Sequence, residues 1–113
     1  MMKMEFTFDE AAVLRRGFTM ERVYIAVKKE FAKRELPCIA DGDSLIFSGA
    51  GGKNDLARML GMMRIYSKTE WFMDTAATWR FTTNERLGWE DVLSQAKARN
   101  EKEGLPWAKM ATI

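Results

Sequence analysis

The segment Ser48-Gly49-Ala50-Gly51-Gly52-Lys53-Asn54 carries the most suggestive chemistry in the chain. A glycine-rich turn from a strand into a helix can present backbone N–H groups to a phosphate, and a lysine at the helix start adds positive charge. Gly51, Gly52 and Lys53 are therefore the candidate anion-binding residues. Their spacing departs from both established phosphate loops. A P-loop needs a glycine five residues before Gly52, where Phe47 stands, and a Ser or Thr after the lysine, where Asn54 stands. The dinucleotide-binding pattern would put its third glycine on Asn54. The ordinary role of such a stretch is a flexible connection.

A second candidate is the basic cluster Arg15, Arg16, Lys28, Lys29, Lys33 and Arg34. Cations grouped in this way bind phosphate backbones by releasing counterions. Glu21, Glu30 and Glu35 share the same stretch, as they do on many solvated helix faces.

The third group is apolar. Met62 belongs to the nine methionines and lies off the helical stripe of its neighbours Met59 and Met63. Trp71 and Phe72 occupy an apparent linker, and Trp107 an aperiodic tail. Exposed, these aromatics would form a partner surface, because tryptophan is favoured at interface hot spots. Folded inward, they would complete the core of a small domain.

Other chemistries are excluded by what is missing. The chain has no histidine, so it has no imidazole base, no Ser-His-Asp or Cys-His nucleophile and no histidine-containing zinc site. Its one cysteine, Cys38, allows neither an internal disulfide nor a thiolate metal cage. Asp41 and Asp43 suit a turn and lack the further oxygen ligands of a calcium loop. No catalytic residue, metal or cofactor is expected. Acidic Glu5 and Asp9 interrupt the start of the chain where a signal peptide needs an apolar run, and no uncharged stretch nears the ~20 residues of a membrane helix. The expected location is cytoplasmic.

The elements that position these residues follow from periodicity. With 113 residues and 47% hydrophobic side chains, the chain has enough apolar surface for one core. Residues 19–36 place Met20, Val23, Tyr24, Val27 and Phe31 on one helical face, with Thr19 as N-cap and Pro37 as stop signal. Residues 38–40 and 44–48 read as a hairpin around Asp41-Gly42-Asp43. Asn54 caps a second helix to Tyr66, whose apolar stripe is Leu56, Met59, Leu60, Met63 and Tyr66.

Lys3 to Phe8 and residues 77–83 alternate, with Met4, Phe6, Phe8, Trp79 and Phe81 on oily faces and Glu5 and Arg80 on wet ones. A last helix over 88–103 turns Trp89, Val92, Leu93 and Ala96 inward and stops at Gly104. Residues 9–16 suit a short extra helix, ended by Gly17.

The order predicts an α+β fold of the ferredoxin-like βαββαβ type: a four-stranded antiparallel sheet with helices on one face, plus a C-terminal helix. Residues 1–104 form this domain and 105–113 a tail. The first and last strands would be neighbours, so that Glu5 and Arg80 could pair across them. With the aromatics turned inward, the open sheet face lacks the stacking platform of an RNA-binding sheet. The expected function is therefore that of a small, non-enzymatic, protein-binding domain, acting as a homodimer or with another protein. Nucleic-acid binding through the basic cluster is the alternative, and a phosphate-containing ligand at the glycine-rich loop a further one.

Overall fold

The computed structural model describes residues 1–104 and Trp107. The chain opens with β1 (Lys3–Phe8), in which Met4, Phe6 and Phe8 are buried and the residues between them are half-exposed. The strict alternation of the sequence is thus realised as one face toward the core and one toward water. Asp9 then caps α1 (Glu10–Arg15), accepting from the Ala11 and Ala12 N–H groups, and Gly17 follows the helix with φ +78. Thr19 caps α2 (Met20–Lys33) through its hydroxyl, which accepts from Arg22 N–H. The helix buries Val23, Val27 and Phe31. It ends earlier than Pro37 requires, because Glu35 adopts a left-handed conformation that lets Leu36 N–H return to Phe31 O at 3.1 Å.

The hairpin forms as β2 (Cys38–Asp41) and β3 (Leu45–Ser48), with an irregular register between Cys38 and Ala40. The second long helix, α3 (Asp55–Ser67), leads into β4 (Ala76–Thr82) through a helix the sequence does not announce, α4 (Glu70–Thr75). After a 3-10 turn at Glu85–Leu87 come β5 (Glu90–Asp91) and α5 (Val92–Glu103).

All strand pairings are antiparallel, in the order β2-β3-β1-β4-β5. The expected adjacency of first and last long strands holds: Glu5 lies opposite Arg80, and Phe6 opposite Trp79. The expected four-stranded sheet is corrected to five. The extra strand is only two residues long, pairing Asp91 with Arg80 and Glu90 with Phe81, too short to show an alternation. It takes the place of the first residues of the expected last helix, which starts at Val92 with Asp91 as its cap.

One aromatic cluster joins the sheet to the helices. Phe6 stacks parallel to Trp79, with centroids 6.1 Å apart, and meets Phe31 and Phe72 edge-on at 5.6 Å. Phe31 stacks on Phe47 at 4.0 Å and Tyr66 on Phe72 at 4.4 Å. These rings draw β1, β3, β4, α2, α3 and α4 into one core. Among the described residues no helix is long and apolar enough to cross a membrane. Of the expected tail, only Trp107 lies within the described residues; it is half-buried and packs against the core.

Candidate functional site

The glycine-rich loop is closed by the protein's own acid. Asp55, only 6% exposed, turns back from the first turn of α3 and accepts hydrogen bonds from Ala50 N–H at 3.0 Å and Gly51 N–H at 2.8 Å. Two amide groups of the loop, one of them from the candidate Gly51, are thus held by a carboxylate, which also repels an incoming anion. Gly51, Gly52 and Lys53 are exposed around this closed turn. Asn54 precedes the helix as expected but makes no side-chain capping bond. Sequence reasoning missed Asp55. The available signal was an acid in the first turn directly after glycines with free N–H groups.

Four of the six basic-cluster residues are paired with carboxylates. Arg16 Nε donates to Asp74 Oδ2 at 2.6 Å, and its Nη2 lies 3.8 Å from Glu70 Oε2. Lys28 pairs with Asp41, whose hydrogen bond holds the Lys28 ammonium above its ordinary pKa. Glu30 receives both Lys33 and Arg34 at 3.2 Å. Partial burial pushes the Glu30 carboxyl up, but the hydrogen bonds from Lys33 and Arg34 outweigh it and hold the group below the usual carboxylate range. The cluster is a set of local ion pairs, with Arg15 and Lys29 exposed beside them.

The outer face of the sheet is polar and cross-linked. Glu5 pairs with Arg80 as expected, and Ser44 donates to the other Glu5 oxygen at 3.3 Å. Lys3 pairs with Glu85, and the Thr7 and Thr78 hydroxyls are 2.6 Å apart. Trp89, expected inside, instead lies over the Arg80 guanidinium at 4.3 Å. The connection after β4 puts it there: Thr82 donates to Gly88 O at 2.6 Å, and Gly88, with φ +91, redirects the chain into β5. Beside Trp89, Arg80, Glu90, Asp91 and Lys97 border a cleft of roughly 420 Å³ whose walls mix both charge signs.

Met62, Trp71 and Phe72 are in the core, so the partner surface expected of them does not form. Met62 is fully buried because α3 presents a different face to the sheet from the one its spacing suggests: Met59, Met62 and Tyr66 point inward. Trp71 and Phe72 are buried because residues 70–75 form a helix rather than a loop.

The rotation of α3 turns apolar side chains outward elsewhere. Leu56 is 43% exposed and Leu60 46%, one turn apart, and Met63 continues the line half-buried. Leu60 and Met63 of this stripe line a groove of roughly 260 Å³ between α3 and α5, together with Val92, Ala96, Gln95, Ser67, Arg64 and Arg99. Asn100 fixes the two helices relative to each other. Buried in α5, it donates to Ser67 O at 2.9 Å and accepts from Lys68 Nζ at 2.7 Å at the end of α3.

Comparison with protein-family models, with curated proteins and with solved structures returns no match.

Proposed function

We propose that this chain is a small, non-enzymatic accessory domain that works by binding another protein, and that Leu56, Leu60 and Met63 on α3 make the contact. The carrying observation is that α3 carries more apolar side chains than its core face uses. Met59, Met62 and Tyr66 fill the core, while Leu56 and Leu60, about a quarter of the way round the helix, are 43% and 46% exposed. Leucines at one-turn spacing beside a groove are the usual form of a helix-based docking surface. The strand order β2-β3-β1-β4 with α2 and α3 supports a ferredoxin-like core, to which β5 and α5 are added at one edge. Cys38 is free and exposed, which suits a reducing, cytoplasmic setting.

A photo-crosslinking amino acid at position 60, with a control at position 29 on α2, tests the proposal in extract of the native host. A discrete protein adduct from position 60 alone is expected. Equal labelling from both positions, or none from either, would sink it.

A further inference from the structure

We infer that the partner segment is an acidic amphipathic helix lying in the α3–α5 groove, which rests on the α3 stripe being the protein-binding surface. Its apolar side chains would meet Leu56, Leu60 and Met63, and its carboxylates Arg64 and Arg99.

Charge selects the partner. Arg16, Arg34 and Arg58 pair with carboxylates of this chain, whereas Arg64 and Arg99 have no ion-pair partner among the described residues. Both unpaired groups line the same groove, beside Leu60 and Met63 and with no acidic residue in its lining. Guanidinium groups match carboxylates with two parallel N–H bonds, so the pair favours Asp or Glu placed on either side of an apolar line.

Geometry selects the helix. Leu56 and Met63 are seven positions apart, about 10 Å of helix axis, which two turns of a partner helix would cover. An extended strand would gain nothing here, because the backbone groups of α3 and α5 are bonded within their own helices. A second copy docking through the same face about a two-fold axis would bring two arginine-lined grooves together with no acidic residue of either lining to neutralise them. A nucleic acid would satisfy the arginines and leave the leucines without apolar contact.

The test selects helical peptides from a displayed random library on the intact protein. Enriched peptides are expected to carry apolar residues at i, i+4 and i+7 with Asp or Glu beside them. Leu60→Ser should abolish their binding. Arg64→Glu with Arg99→Glu should weaken it about tenfold or more and favour lysine-flanked peptides instead. The milder pair Arg64→Gln with Arg99→Gln provides the same comparison if the reversal disturbs folding, which the melting temperature reports.

Enriched peptides without acidic bias, indifferent to both arginine pairs, would overturn the acidic partner and leave the apolar surface standing. Selection that ignores Leu60→Ser would overturn the surface itself. Sedimentation showing a dimer that Leu60→Ser dissolves would assign the groove to a second copy, and displacement of selected peptides by an oligonucleotide would assign it to nucleic acid; either overturns the inference.

Discussion

A Cβ built on Gly49 would fall 2.4 Å from Asp55 Oδ2, so the glycine and the carboxylate are accommodated only together. Gly49 is buried, and its own N–H reaches Met2 O at 3.1 Å, which anchors this end of β3 beside β1. Asp55 thus ties Ala50 and Gly51, at the start of the glycine-rich loop, to the first turn of α3.

The first prediction is a coupling. Gly49→Ala should destabilise by about 2 kcal/mol, because the methyl displaces a hydrogen-bonded carboxylate. Asp55→Ala should cost about 1–3 kcal/mol through its two lost bonds. The double variant should be no less stable than Asp55→Ala alone, measured by urea unfolding. Simple additivity would mean that the two residues do not share this space. In a thermal-shift assay, millimolar phosphate should leave the natural chain unchanged and raise the melting temperature of Asp55→Ala, whose loop amides are open.

Tyr66 supports a second prediction. Its hydroxyl is buried without a hydrogen-bond partner among the described residues, and burial pushes its pKa far above that of a free phenol, with Glu30 adding to the rise. Tyr24, the other tyrosine, is raised by partial burial and then by Asp43 and Asp41. The unfolded chain loses its phenolic protons near pH 10, while burial lets the folded chain hold the Tyr66 proton to higher pH. Stability conferred by the protonated form is thus complete below about pH 10 and declines above it. The Tyr66 part of the tyrosinate absorbance should appear only as the fold melts. Tyr66→Phe should raise stability at neutral pH by about 1 kcal/mol and reduce the alkaline loss, since it removes an unsatisfied hydroxyl. A destabilised phenylalanine variant would reveal a hidden partner for the oxygen.

The third concerns the brace between α3 and α5. Asn100→Ala removes two bonds at a buried position and leaves Ser67 O without its donor, so a loss of about 2 kcal/mol is expected from denaturant titration. Lys68 retains Glu103 at 4.0 Å, which limits the damage at the exposed end. A change below about 0.5 kcal/mol, the range of an ordinary surface substitution, would show that the helices hold their spacing without it.

The sequence was most readable where burial is strictly periodic. β1 alternates without a break and β4 alternates through Trp79, Arg80 and Phe81, so the oily face of Met4, Phe6, Trp79 and Phe81 and the wet face of Glu5 and Arg80 followed from that pattern alone. The helix α2 was equally clear because its caps and its apolar face agree. On α3, by contrast, Leu56, Met59, Leu60, Met62, Met63 and Tyr66 cover so much of the circumference that spacing cannot select the inward side; the sheet selects it. Six residues of α4 and two of β5 are too few for any period to show, which is why Trp71 and Phe72 stood as linker residues and Trp89 as a core one. The candidate surface was hidden for the same reason as the phase of α3: its leucines are indistinguishable by type from those that fill a core.

Both margins of the sheet are blunt. At one, β2 has four exposed residues, an irregular register and Pro37 just before it; at the other, β5 offers two acids, Glu90 and Asp91. A neighbouring molecule finds no long ladder of free amides to continue, and mutual repulsion at the acidic margin discourages the attempt. Crowded copies should therefore resist fibrous growth even at high expression.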